Sequence, residues 1–300
     1  MGQREWWSLG TVSICRIKES SLPSNSTRGL RAPFSFYDRY AMLNTTRHTD
    51  SVNFIEIYGL RRSGNHAIIA WLMHNLNSDG IAYDAPEPLI VPNPEWGFIS
   101  QRLGDVYHIN DAFDKWAIQN PGYVKGLVDA YSTIGAKTII VSYEDTSFKS
   151  SLLDLYAGDY PFLKKTTKIV ITRNILDIVA SRIKRSGGLN RIGSSFGVNK
   201  TIIETWIENE SFTDTKIVFE QWCTSKEYRD SISQSLGLNN LDITEHVSSA
   251  GKGSSFLKPG EMPDKSKLLS RRKQVAVPQD IIRLYKELDI YTKLKEFNYT

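Results

Sequence analysis

Two stretches of this chain carry residues that can hold an anion. The first is Ile57-Tyr58-Gly59-Leu60-Arg61-Arg62-Ser63-Gly64-Asn65-His66. It joins an apolar, strand-like run to a segment whose apolar residues recur at helical spacing. A loop in that place turns the backbone N–H groups of a helix N-terminus toward an anion. Gly59 and Gly64 permit a tight backbone path, and Arg61 and Arg62 supply fixed positive charge. The spacing Gly-x4-Gly opens a Walker A loop, but the motif needs Lys and Ser/Thr next, where this chain has Asn65 and His66. The loop therefore reads as a cradle for a phosphate-like group held without metal. The second stretch runs from Lys168 to Lys184. Arg173 ends an apolar run, and Ser181 follows eight residues later. Two helical turns cover about seven residues, so Ser181 returns to the face that Arg173 flanks. A surface ion pair between Arg173 and Asp177 is the plainer alternative.

The elements that must position these residues follow from hydrophobic periodicity. Strands are expected at Val52–Tyr58, Lys137–Ser142, Lys168–Thr172 and Lys216–Phe219. Helices are expected at His66–Leu76 and Ile175–Lys184. Another helix is expected from Thr224, with Glu227 three residues on as a capping box, to Gly237. Ser248–Asp264 reads as a long loop. Pro278 opens a last helix with Ile281, Tyr285, Leu288 and Leu294 on one face. Strands alternating with helices imply an α/β fold, a mostly parallel central sheet flanked by helices. Residues 1–50 show no lasting period and are rich in Ser, Thr, Arg and Asn, so they read as a poorly ordered extension. Residues 51–300 read as one domain.

The two anion motifs together resemble those of the PAPS-dependent sulfotransferases (PAPS is 3′-phosphoadenosine 5′-phosphosulfate), in the style of bacterial and phage-type members. In that family a strand leads into a basic residue, Ser-Gly, two small polar residues and an apolar helix, as at Arg62-Ser63-Gly64-Asn65. His66 stands where Thr is usual. An Arg at a strand end with a Ser eight residues later is the family's 3′-phosphate motif, here Arg173 and Ser181. The resemblance implies a P-loop nucleotide-kinase-like fold. It also implies PAPS as co-substrate with no metal, and adenosine 3′,5′-bisphosphate as product. Arg61, Arg62, Ser63, Gly64, Asn65, His66, Arg173 and Ser181 would bind the nucleotide. Ile217–Trp222, before a helix ending in Leu236-Gly237, is similar to the family's late strand–helix unit, which suggests Trp222 or Phe219 against the adenine, with core packing the equally good alternative. Gly251–Phe256 and Arg271-Arg272-Lys273 resemble its basic loop over the 3′-phosphate, although a solvated basic run explains Arg271–Lys273 as well.

Sulfuryl transfer needs a cation where charge develops on the leaving phosphate and a base for the acceptor proton. Arg62 is the first candidate for the cation, with Arg61 behind it. The family's base follows a strand that precedes the 3′-phosphate motif, which points to Glu144, then Asp145, with His66 and His108 further off. Acceptor recognition is expected from residues 77–135 and 185–212, among Trp96, Tyr107, Trp116, Tyr123, Trp206 and Gly187-Gly188. A saccharide or small metabolite is the expected acceptor.

Composition limits the other classes. The chain has 300 residues, a formal charge of +4 and two cysteines, Cys15 and Cys223. That balance suits an anionic ligand but is too mild for a nucleic-acid binder, and two thiols build no disulfide framework. No run approaches 18 apolar residues, so a soluble, cytoplasmic protein with no membrane partner is expected. A P-loop kinase and a non-catalytic binder of phosphorylated or sulfated ligands are the rival readings.

Overall fold

The computed structural model describes residues 4–9, 12–17, 52–77, 89–93, 98–110, 136–150, 166–186, 197–242 and 269–299. The chain forms two compact units, 1–44 and 45–300. In the first, β1 (Arg4–Leu9) and β2 (Val12–Ile17) pair antiparallel, with Leu9 opposite Val12. Only Gly10 and Thr11 separate them, and a two-residue Gly-x connection is a hairpin signal. The sequence predicts a poorly ordered extension there, with no element.

The second unit is built on a seven-stranded sheet. Its strands are β3 (Asn53–Gly59), β4 (Leu89–Asn93), β5 (Phe98–Leu103), β6 (Val106–Asn110), β7 (Thr138–Glu144), β8 (Thr167–Thr172) and β9 (Lys216–Val218). They lie in the order β4-β5-β6-β7-β3-β8-β9. The five from β6 to β9 run parallel, and β4 and β5 extend the sheet antiparallel. This is the expected α/β fold with a mostly parallel, helix-flanked sheet.

The connection leaving β3 runs toward β4–β7 and the one leaving β8 runs toward β9, so a topological switch point lies between β3 and β8. Ligands of open α/β sheets bind outside the carboxyl ends of the strands at such a switch point. Register places Gly59 opposite both Glu144 and Ile171. The phosphate loop, Glu144 and Arg173 therefore leave three adjacent strands at one end.

The described α-helices are α1 (Asn65–Leu76), α2 (Ile175–Ser186), α3 (Lys200–Glu210), α4 (Phe219–Thr224), α5 (Lys226–Leu236), α6 (Gln279–Glu287) and α7 (Ile290–Glu296), with 3-10 turns at Phe148–Ser150 and Arg271–Lys273. Alternation along β3 sends Ile55 and Ile57 into one core with Ile68, Ile69, Trp71 and Leu72 of α1 and with Ile140, Ile169 and Ile171. A second core joins Leu60 to Ile175, Ile178, Val179, Ile203, Trp206, Ile281, Tyr285, Ile290 and Leu294. These two apolar layers hold α1 and α2 rigid, and those helices carry the loop and Ser181.

Several boundaries differ from expectation. Helix α5 is capped by Ser225, whose Oγ accepts from the N–H of Tyr228, and not by Thr224, which ends α4. Glu227 makes no box to Thr224 but accepts from the Ser225 hydroxyl. Gly237 closes α5 in the left-handed region, as expected. The expected last helix is two, because Asp289 at φ 50° breaks the run after α6. The expected loop at Ser248–Asp264 lies outside the described residues. No helix among the described residues is long and apolar enough to cross a membrane.

Candidate active site

The phosphate loop is built by close backbone approach. A Cβ on Gly59 would sit 2.4 Å from Oδ1 of Asn65, and one on Gly64 would sit 2.2 Å from Cδ2 of Phe219. Gly64 adopts φ 100°, and Arg62 adopts φ 78°, which is uncommon for a residue with a side chain. The N–H of Ser63 donates to the Leu60 carbonyl, and the Ser63 hydroxyl donates to Oδ1 of Asn65, whose Nδ2 returns to the same Leu60 carbonyl at 3.3 Å. Ser63 and Asn65 thus knit the loop internally. Gly64 offers α1 no side-chain cap, so the first N–H groups of α1 face the loop.

Arg62 leaves this loop toward α2. Its Nε donates to Oγ of Ser181 at 3.0 Å, and Nη1 of Arg271 donates to the same oxygen at 3.0 Å. Ser181 is fully buried, with Arg62 and Arg271 both on its hydroxyl oxygen. Arg173 is also buried, with Nη1 donating to the Arg62 carbonyl at 3.3 Å. Its guanidinium lies 4.5 Å from the ring centre of Phe219 and 3.9 Å from Glu220. The surface pair with Asp177 does not form. Asp177 instead accepts from the Arg272 N–H at 2.7 Å and lies 3.6 Å from its guanidinium.

Arg271 therefore points into the cluster, while Arg272 fastens the Arg271–Lys273 turn to α2. Arg271 and Arg272 dock the turn onto α2, and only Lys273 is exposed as a solvated basic run would be. Burial, then Arg173 and Arg62, push the Arg271 guanidinium down to about 8. Burial, then Arg185 and Arg173, also lower Arg62.

Arg61 takes another course. Its Nε lies 3.1 Å from Glu144 and 3.7 Å from Asp145. That pairing turns it away from Ser181 and makes it a poor substitute for Arg62. Glu144 also faces Nε2 of His66 at 3.8 Å. Burial and Arg62 pull the His66 imidazole below its usual range, so it is neutral near pH 7, and its Nδ1 has no hydrogen-bond partner among the described residues.

The other candidate bases are engaged elsewhere. Asp145 accepts from the Arg61 N–H and from Arg182. His108 is sealed between Gln101 (3.0 Å) and Ser142 (2.8 Å), and burial and His66 pull it down to about 3. At that value it accepts from the Ser142 hydroxyl and donates to Gln101, which withdraws it from base chemistry.

Two expected ligand-facing aromatics are core residues. Trp222 is buried against Trp71 (6.1 Å, edge-on) and Phe219 (6.2 Å), so it shows no open face to an adenine. Phe219 underlies Arg173 and Gly64. Trp206 is buried and donates from Nε1 to the Arg173 carbonyl at 2.9 Å, a positioning contact in place of acceptor recognition. Tyr107 is buried in β6, beneath Arg102 at 5.4 Å. Trp96, Trp116, Tyr123, Gly187, Gly188 and Gly251–Phe256 lie outside the described residues.

Sequence reasoning missed Arg182, Glu220 and Glu210. Arg182 is fully buried and reaches Arg61, Asp145 and Gly197. Glu220 accepts from the Asn174 N–H at 3.0 Å beside Arg173, and burial raises its carboxyl. Glu210 is pushed up to about 7 by burial and accepts from the Tyr299 hydroxyl at 2.7 Å. Each contact spans 37 residues or more except Arg182 to Gly197, so only the buried position of an ionic residue on an otherwise apolar helix face could have signalled them.

No family model matches the chain, and no curated protein matches its sequence. In solved structures it is similar to the sulfotransferase domain from the curacin biosynthetic pathway, at TM-score 0.35 and 12% identity, over 79% of this chain and 98% of that one. That distance carries no chemistry, so the reading of function rests on the arginine cluster at the carboxyl ends of β3, β7 and β8.

Proposed function

We propose that this chain is a PAPS-dependent sulfotransferase acting on a hydroxyl or amine acceptor, a saccharide or other small metabolite. The observation that carries the reading is the convergence of Arg62 and Arg271 on Ser181 beside Arg173, because it joins the two anion motifs in one site. In this network the guanidiniums of Arg61, Arg62, Arg173, Arg182, Arg271 and Arg272 outnumber the carboxylates of Glu144, Asp145, Asp177 and Glu220 among the described residues.

PAPS, when bound, supplies the sulfuryl group and departs as adenosine 3′,5′-bisphosphate. Ser181, Arg173 and Arg271 would hold its 3′-phosphate. The α1 N-terminus and Arg62 would hold the 5′ side, where Arg62 meets the charge that grows on the phosphate oxygen as the sulfur–oxygen bond breaks. Glu144 is the proposed base for the acceptor proton, and a ligand that draws Arg61 or His66 away would free its oxygens.

A second reading has its own observation. Arg61 and His66 both face Glu144, and a carboxylate so engaged is a weak base. The chain would then bind phosphorylated or sulfated ligands without turnover. Incubation with sulfur-labelled PAPS and an acceptor panel, without added metal, separates the two. Label transfer that is lost in Arg62→Met supports the transferase, and nucleotide binding with no transfer across the panel supports the binder.

A further inference from the structure

Arg182 is fully buried, yet anion binding leaves it without a task. Its guanidinium is engaged in three directions: Nε donates to the Arg61 carbonyl at 3.3 Å, Nη1 donates to the Gly197 carbonyl at 3.1 Å, and Nη2 meets Oδ1 of Asp145. Asp145 is itself left-handed, at φ 61°, with its N–H donating to the Gly59 carbonyl at 3.1 Å. Its Oδ1 accepts from the Arg61 N–H at 2.9 Å. Asp145 thus holds the N–H of Arg61, Arg182 holds its carbonyl, and the two holders are bonded to each other.

The next residue is Arg62, at φ 78°. A non-glycine residue keeps that conformation only where its surroundings over-determine it. On its far side the Arg62 carbonyl accepts from Arg173. The strained residue is therefore pinned between two peptide oxygens, each fixed by a buried arginine. That backbone turn is what sends the Arg62 side chain toward Ser181.

We propose that Arg182, through Asp145, is a positioning residue that locks the left-handed Arg62 and presets the phosphate loop for its anion. The lock itself is a property of the ligand-free chain; its use in nucleotide binding rests on the function proposed above. Ordering the loop before binding removes an entropic cost that binding would otherwise bear.

The test uses Arg182→Lys and Asp145→Asn. Lysine keeps the charge but cannot reach three acceptors in a fixed fork. Asparagine tolerates the left-handed backbone and keeps an acceptor for the Arg61 N–H, while it removes the charge that faces Arg182 and the Arg61 guanidinium. Hydrogen exchange of the ligand-free proteins is followed by mass spectrometry in peptides covering residues 57–67. Exchange there should rise about tenfold in both variants while the β7 and β8 peptides stay protected, as in local opening of one segment.

Calorimetry then compares adenosine 3′,5′-bisphosphate with adenosine 3′-monophosphate. The bisphosphate should bind about tenfold more weakly to the variants, and the 3′-monophosphate should lose less, since it meets the loop only through the Arg62–Ser181 contact. Unchanged exchange at residues 57–67, or a rise shared equally by the whole sheet, overturns the lock. If Arg182→Lys fails to fold, Asp145→Asn decides. Wild-type protein that shows the exchange pattern but binds neither nucleotide keeps the lock and refutes the nucleotide reading.

Discussion

Replacing Gly64 by alanine perturbs the loop at its least tolerant point. The backbone is at φ 100°, and the added Cβ would lie 2.2 Å from Cδ2 and 2.3 Å from Cε2 of Phe219. The strained backbone costs about 1–3 kcal/mol. Displacing a packed ring costs about 1–3 kcal/mol more. The total of about 2–6 kcal/mol lowers the thermal midpoint by roughly 5–20 °C in a chain of this size. The ring cannot move alone, because the Arg173 guanidinium rests 4.5 Å from its centre. A shift of Arg173 weakens one charge-assisted contact, worth about 1.5–3 kcal/mol, so affinity for adenosine 3′,5′-bisphosphate falls about tenfold or more. Circular dichroism melts and calorimetry read the two effects separately. A Gly64→Ala protein that melts within about 2 °C of wild type refutes the described contact between Gly64 and Phe219. One that is destabilised yet binds as tightly as wild type refutes the coupling of Phe219 to Arg173.

The docked turn makes neighbouring arginines unequal. Arg271→Ala should weaken nucleotide binding about 10–150-fold, the worth of a charge-assisted contact. Arg272→Ala should cost less than about threefold, because its side chain makes a part-exposed ion pair and its N–H still reaches Asp177; equal losses in calorimetry would contradict the assigned roles. Glu210 gives a pH signature. Its folded value of about 7 lies above the ordinary carboxylate range, so its proton stabilises the fold below that range, and the contribution disappears as pH rises through 7. Urea midpoints should therefore fall between pH 5 and 8 in wild type and fall less in Glu210→Gln; identical slopes would show that Glu210 does not titrate in that window.

The parts of this fold that were legible in sequence are those with apolar runs and local caps. Strands β3, β7 and β8 and helices α1 and α2 stand within one or two residues of expectation, because both faces of those strands are buried. Strands β5 and β6 were not legible, since they bury Gln101 and His108 against each other and so break the apolar pattern. Helix α3 had a readable cap in Asn199, whose side chain accepts from the Ile202 N–H, and Ile203 and Trp206 at helical spacing. Its aromatic residue suggested a ligand where it serves the core. The site divides the same way. Arg62, Arg173 and Ser181 are singled out by spacing along one chain segment each, and the fold brings them together. Arg182 with Asp145, and Arg173 with Glu220, meet only through folding, across 37 and 47 residues, so no local pattern encodes them.

The central claim is that Arg173 and Arg62 serve one nucleotide site. Calorimetric titration with adenosine 3′,5′-bisphosphate in metal-free buffer tests it most directly, on wild type and on Arg173→Ala. Micromolar binding by wild type that weakens about a hundredfold in the variant, as loss of a buried cation to an anion implies, is the predicted result. A folded wild-type protein that does not bind, or a variant that binds equally well, would contradict the account.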